Sequence, residues 1–429
     1  MFYGAIYQRL IAEELEMIKN IENNPETELA KEKTYDIDYS AEEVFEIGAN
    51  YLDELASKNF FLDAIKNFVK KRDYFSGNME NPEDIIDFIK KAYEKAGIKG
   101  DKKKGAFSYN PSSIKDWVCG KRLPSKNETQ RIALCLGMNI SEAIEFIFKG
   151  SLVKPFNFKD IQDSVYYFCL NTGKTFAEAQ QILEEIENAN VKVEEYPEND
   201  TIKIGEQIES IKAKDELIKY LSANKEGFKN QNQTALTKLK ELIKNAAGLA
   251  EWERKEIFHD TSIPSIESEN DVPAILSVIL GYDARAKING VEVYKKKISD
   301  SNFPELVKNN FPQPQQLQDV LNGKKTSAEA IRKAIILFTF YNLFSKRKKD
   351  KKNKSNNYFD TYSDAIDETL YKCGYIQMYW KHPYDWMFGF CAGQTDENLG
   401  PLDMLRELIA IFYSELDDMY SVENQFVKK

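Results

Sequence analysis

The chain has 429 residues, 42% hydrophobic and 12% aromatic, enough for roughly two to four domains with their own cores and too apolar for wholesale disorder. A formal net charge of −10 excludes a surface coated in cations, so any nucleic-acid footprint has to be local. The sequence holds no apolar run of about 18 residues and no secretory pattern around Glu13, Glu14 and Glu16, and its five scattered cysteines form no CxxC pair; this predicts a cytoplasmic protein with reduced thiols and no membrane segment.

Read in chain order, apolar spacing predicts a helix over Phe2–Ile21, stopped at Asn23-Asn24-Pro25. Ser40 with Glu43 predicts a capped helix through Leu55, followed by helices over Phe61–Phe68 and Asp84–Ala96. A helix at about Glu128–Leu136 is closed by Gly137, and one over Glu142–Phe148 is capped by Ser141 and closed by Gly150. Lys159–Leu170 and Phe176–Ala189 follow. Residues 190–203 (VKVEEYPENDTIKI) are expected to link two halves, with valine-rich pieces able to pair as a hairpin. Further helices are predicted over Lys212–Ser222, Gln233–Ala247, Ala274–Gly281, Ala328–Phe344 and Leu402–Leu416. The lysine-rich segment Ser345–Asn357 is expected to be a mobile loop, because dense like charge cannot pack. The fold class expected is mainly α, a multidomain helical protein. Its parts are an N-terminal helical domain (1–75), a helix-turn-helix-like domain (76–150), a helical extension and linker (151–200), a central helical domain (201–300), a second helix-turn-helix-like unit (301–344), the basic loop (345–357) and an aromatic-rich C-terminal domain (358–429).

Two segments repeat one pattern. PSSIKDWVCGKRLPS (Pro111–Ser125) lies over PQQLQDVLNGKKTSA (Pro314–Ala328) without a gap, pairing Pro111 with Pro314, Ile114 with Leu317, Asp116 with Asp319, Trp117 with Val320 and Gly120 with Gly323. Each reads as a short helix ended by Gly and a basic pair, leading into a second helix, and Ile114, Trp117, Leu317 and Val320 are expected to be buried. Charge gathers at both. Residues 101–131 hold eight basic and three acidic side chains, and residues 324–354 hold eleven and two.

The stretch from Ser112 to Gly150 resembles the Cro and λ-repressor-like helix-turn-helix family, on Ser112, Ser113, Ile114, Trp117, Gly120, Lys121, Pro124 and Ser125, then Ala133, Leu134, Leu136 and Gly137. The resemblance implies duplex DNA as partner, with Ser112, Ser113 and Lys115 toward base edges and Lys121, Arg122 and Lys126 toward phosphate. Lys324 and Lys325 are the corresponding basic pair of the second copy. The upstream helix with Gln and Ala that the family carries has no counterpart in Asp101–Asn110, and Asp116 puts an acid on the candidate recognition helix. The function expected is a non-catalytic DNA-binding regulator, of a mobile-element or phage-defence kind; a helical scaffold or effector-binding protein is the alternative.

Little points to catalysis. The two histidines, His259 and His382, accompany no nucleophile motif and read as a surface or capping residue and a packing residue. No phosphate-binding glycine loop occurs, and no cofactor or metal is implied. The aromatic stretch Tyr375–Ala392 reads as core or as a surface for a protein partner.

Overall fold

A computed structural model describes residues 41–72, 75, 77–101, 105–189, 201–229, 232–258, 264–281, 285–288, 291–294, 298, 301–324, 326–345, 358–394 and 399–412. The fold is mainly α, as expected. The chain divides into two compact units, one of Met1–Glu16 with Lys58–Gln231, the other of Met17–Ser57 with Asn232–Lys429. The first described helix, α1 (Ala41–Ser57), belongs to the second. The helix expected over Phe2–Ile21 lies outside the described residues.

The first unit opens with α2 (Phe60–Lys70), whose Phe61, Ala64, Ile65, Phe68 and Val69 recur at helical spacing on the buried face. In α3 (Pro82–Lys95) the cap is Asn81 and Pro82 stands first, where a missing N–H leaves no bond unmade. The segment after α3 is not helical. Lys99–Gly100 (β1) and Ser108–Tyr109 (β2) pair in parallel, with Lys99 N–H donating to the Phe107 carbonyl and Asp101 N–H to that of Tyr109, both at 2.9 Å. Next come α4 (Pro111–Val118), α5 (Lys126–Cys135), α6 (Ile140–Ser151), α7 (Ile161–Thr172), α8 (Phe176–Asn188), α9 (Thr201–Ser210), α10 (Lys214–Ala223) and α11 (Lys225–Lys229). Helix α6 packs on α2 and α5, while α3 packs on α4 and α5.

Three local expectations need correction. Helix α6 is capped by Asn139, not Ser141: Asn139 Oδ1 accepts from Glu142 N–H, and the Glu142 carboxylate accepts from Asn139 N–H. The reciprocal box needs its cap three residues before the glutamate, which places Ser141 inside the helix. The helix also runs through Gly150, and Leu152 makes the left-handed turn at φ 56°. Residues 201–203 begin α9 rather than a hairpin strand; residues 190–200 lie outside the described residues, and both flanks of the segment belong to the first unit.

In the second unit α12 (Gln233–Glu253) runs into a π-helical turn, Arg254–Phe258. It is followed by α13 (Val272–Leu280) and an antiparallel hairpin of β3 (Arg285–Ile288) and β4 (Val291–Tyr294). Then come α14 (Glu305–Lys308), α15 (Pro314–Leu321), α16 (Ala328–Phe344), α17 (Tyr358–Lys372), α18 (Pro383–Gly393) and α19 (401–412). Helix α16 is buried nearly all round from Ile331 to Asn342 because it is the axis of this unit, packed by α12, α17 and α18. The aromatic stretch is core: Tyr379, Trp380, Tyr384, Trp386, Phe388 and Phe390 are all buried, stacking among themselves and on α1 and α16. Of the two readings of this stretch, core or partner surface, the burial of these rings is that of core. Ser345 is buried, and the basic segment 346–357 lies outside the described residues, as does His259. No helix among the described residues is long and apolar enough to cross a membrane.

Candidate nucleic-acid interface

Both repeated segments fold as a short helix, a glycine turn and a longer helix. Ile114 and Trp117 of α4 are 0% and 4% exposed, and Leu317 and Val320 of α15 are 2% and 1% exposed. Each short helix begins on a proline and ends in the same pair of bonds. Gly120 N–H donates to Trp117 O at 3.2 Å and Lys121 N–H to Asp116 O at 2.9 Å; Gly323 N–H donates to Val320 O at 3.1 Å and Lys324 N–H to Asp319 O at 2.8 Å. Gly120 and Gly323 take φ of +72° and +73°, a region that costs other residues a clash at Cβ. The helix that follows is capped by Ser125 in the first copy and Ser327 in the second. The spacing from glycine to cap is one residue shorter in the second, so the ungapped pairing ends at the turn.

Helix α4 is held from below. Trp117 lies edge-on to Phe61, ring centroids 6.0 Å apart, and Asn59 donates from Nδ2 to the Val118 carbonyl at 2.7 Å while Oδ1 caps α2. The opposite face, with Ser112, Lys115, Cys119 and Gly120, is exposed, and Lys121 and Arg122 continue it past the turn.

The candidate contact residues differ in how free they are. Ser112 is exposed and its Oγ lies 2.9 Å from the capping Asn110 Oδ1. Ser113 Oγ accepts from Arg122 Nη2 at 2.6 Å, and Arg122 Nε is 3.3 Å from Asp116 Oδ2, so the acid on this helix is matched by its own arginine. Lys115 Nζ is 3.8 Å from Glu83 on α3. Lys121 is exposed, with no ion pair among the described residues. Lys126 turns inward: its Nζ donates to Asp163 Oδ2 at 2.5 Å. In the second unit Lys324 Nζ is 2.9 Å from Asp319, which also accepts from Gln315, and Lys325 lies outside the described residues.

Two of the cations between residues 101 and 131 thus serve the interior. Asp163 is nearly fully buried, and burial raises its pKa against the opposing pull of Lys126; Gln130 Nε2 and Asn157 N–H complete its partners at 2.9 and 2.7 Å. Arg131 lies over the rings of Tyr93 and Phe176 at 5.4 and 5.6 Å, and it donates to the Ser108 carbonyl and to Glu128. It thereby pins the β2 segment that enters α4. Sequence reasoning missed Asp163, Gln130 and Asn59, since each is a lone polar residue far from its partner and no spacing announces it.

No group of three or more His, Cys, Asp or Glu among the described residues is placed to hold a metal. His382 is buried as the cap of α18, its Nδ1 accepting from Tyr384 N–H at 3.1 Å, and burial lowers its pKa to about 3, so the ring is neutral. No protein-family model, curated protein or solved structure matches the chain.

Proposed function

We propose that the protein is a non-catalytic DNA-binding regulator whose first unit presents α4 to the major groove of a duplex. The observation that carries this reading is the division of α4 into a packed face (Ile114, Trp117, Val118) and an exposed one that runs from Ser112 and Lys115 to Lys121 and Arg122. A short helix held at both ends, with polar residues outward at its start and cations past its end, has the form a duplex reader needs. Where the helix-turn-helix family that the segment resembles has a helix before the turn, this chain has the β1–β2 pairing, which leads into α4 at Asn110. A mobile-element or defence setting belongs to the same proposal.

One observation favours the alternative, a scaffold whose repeated segments serve folding only. Lys115, Arg122 and Lys126 each already have a carboxylate partner inside the chain, and Lys324 has one in the second copy. The two readings separate on binding of the intact protein to a labelled 30-base-pair duplex of mixed sequence, followed by fluorescence anisotropy at low salt, where the phosphate contribution is strongest. Saturable binding that weakens steeply with added salt is expected. No anisotropy change at micromolar protein would leave the scaffold reading in its place.

A further inference from the structure

The second repeated segment keeps the frame of the first and changes what it presents. Leu317 and Val320 stand where Ile114 and Trp117 do, and all four are buried. Asp319 stands for Asp116, and each acid is paired by a cation from beyond its own glycine turn, Lys324 at 2.9 Å and Arg122 at 3.3 Å. Lys324 also takes the position of Lys121. The outward residues differ as a set. Ser112, Ser113 and Lys115 become Gln315, Gln316 and Gln318, and the exposed Cys119 becomes the exposed Asn322.

These amides lie along the outward side of α15 and its cap, with Gln315, Gln318 and Asn322 in line at helical spacing and Gln316 beside them. Gln315, Gln316 and Asn322 are exposed and Gln318 is half-buried. Gln315 Nε2 donates to Asp319 Oδ1 at 3.0 Å, whereas Gln316 and Gln318 have no side-chain hydrogen bond among the described residues. A face that meets only water is satisfied by charge, which makes up 30% of this chain, and a face that meets only phosphate needs donors alone. Each amide instead offers a donor and an acceptor together, the pattern that matches N7 and N6 on the major-groove edge of adenine. The one acid of α15 is neutralised by Lys324, so no bare carboxylate of this helix opposes a phosphate. The sequence from there on is basic, with eleven cations to two acids over residues 324–354, although Arg332 among them is spent on Asp385 inside the unit.

We propose that α15 is a second duplex-reading helix, selective for adenine-containing sequence, so that the two units of the chain recognise different sequences. The proposal rests on the reading of α4 as a duplex reader and extends it to the second unit. The backbone device is shared, which gives both helices the same way of standing in a major groove. The side chains at the three positions nearest the bases are not shared, so the sequences chosen differ.

Selection of the full-length protein on a random-sequence duplex pool, followed by anisotropy on the enriched duplexes, tests this. Two unlike sequence blocks are expected, one of them rich in adenine. Gln315→Ala with Gln316→Ala should enrich only the other block and bind a duplex of the adenine-rich block at least about tenfold more weakly than the wild type does. Both positions are exposed and alanine favours helix, so the variant keeps its fold. Enrichment of the same sequences by Q315A/Q316A and the wild type, at equal affinity, overturns the proposal and leaves α4 as the sole reader. An equal weakening on every sequence overturns it too, since the amides would then meet only the DNA backbone. No duplex binding by the wild type removes this proposal together with the reading of α4.

Discussion

Lys126 donates to the buried carboxylate of Asp163 at 2.5 Å, and this bond separates a cation that looks like a phosphate contact from one that holds the fold. The lysine stands at the start of α5, just beyond the candidate recognition helix, yet its charge is spent on tying α5 to α7. Replacing it with Met leaves a buried acid without its ion partner. Lys126→Met should cost about 2 kcal/mol, less than the ~3–5 of a fully buried pair because the lysine is a third exposed. K126M with Asp163→Asn should recover part of the loss. Urea midpoints of the three proteins check this, and an unchanged midpoint in K126M would remove the structural role.

Gly120 and Gly323 share a backbone conformation but not a neighbourhood. A Cβ added at Gly120 would lie 3.2 Å from Asn59 Nδ2, whereas at Gly323 nothing lies within 4 Å. Alanine at either should cost about 1–2 kcal/mol for the left-handed conformation. G120A should cost more, because it also presses on the Asn59 bond to Val118. Thermal unfolding of both variants decides it; equal losses would mean that Asn59 moves aside freely.

Protonation of His382 gives an acid sensitivity of known sign. Its folded pKa is lowered to about 3 by burial, so as pH falls below the ordinary value of 6.5 the unfolded chain takes up a proton that the folded one refuses. Stability from this residue is complete above about 6.5 and declines toward about 3, by up to ~1.4 kcal/mol per pH unit. Asn can cap α18 in its place, so His382→Asn should fold and lose that part of the slope. Parallel pH–stability curves for the two proteins would contradict it.

Helix positions were legible because apolar spacing and caps are local signals. Pro314 and Ser327 mark α15 and α16, and Gly120 and Gly323 mark the turns, by rules that act within a few residues. What the aromatic stretch does was not legible. Rings at Trp386 and Phe390 suit a core or an interface equally, and only the packing of α1, α16 and α18 decides for core. The basic patch was legible as composition but not as surface. Lys126 and Arg131 are indistinguishable from Lys121 in sequence, and their inward partners, Asp163 and the rings of Tyr93 and Phe176, come from other helices.

The salt dependence of duplex binding tests the central proposal most directly, because each phosphate contact adds about 0.9 to the slope of log K against log salt. Lys121→Ala with Arg122→Ala should reduce that slope by roughly one to two contacts and weaken binding to all sequences alike, while K126M, whose cation faces inward, should leave the slope unchanged. A slope in K121A/R122A equal to that of the wild type, or a loss of contacts only in K126M, would contradict the assignment of the α4 face.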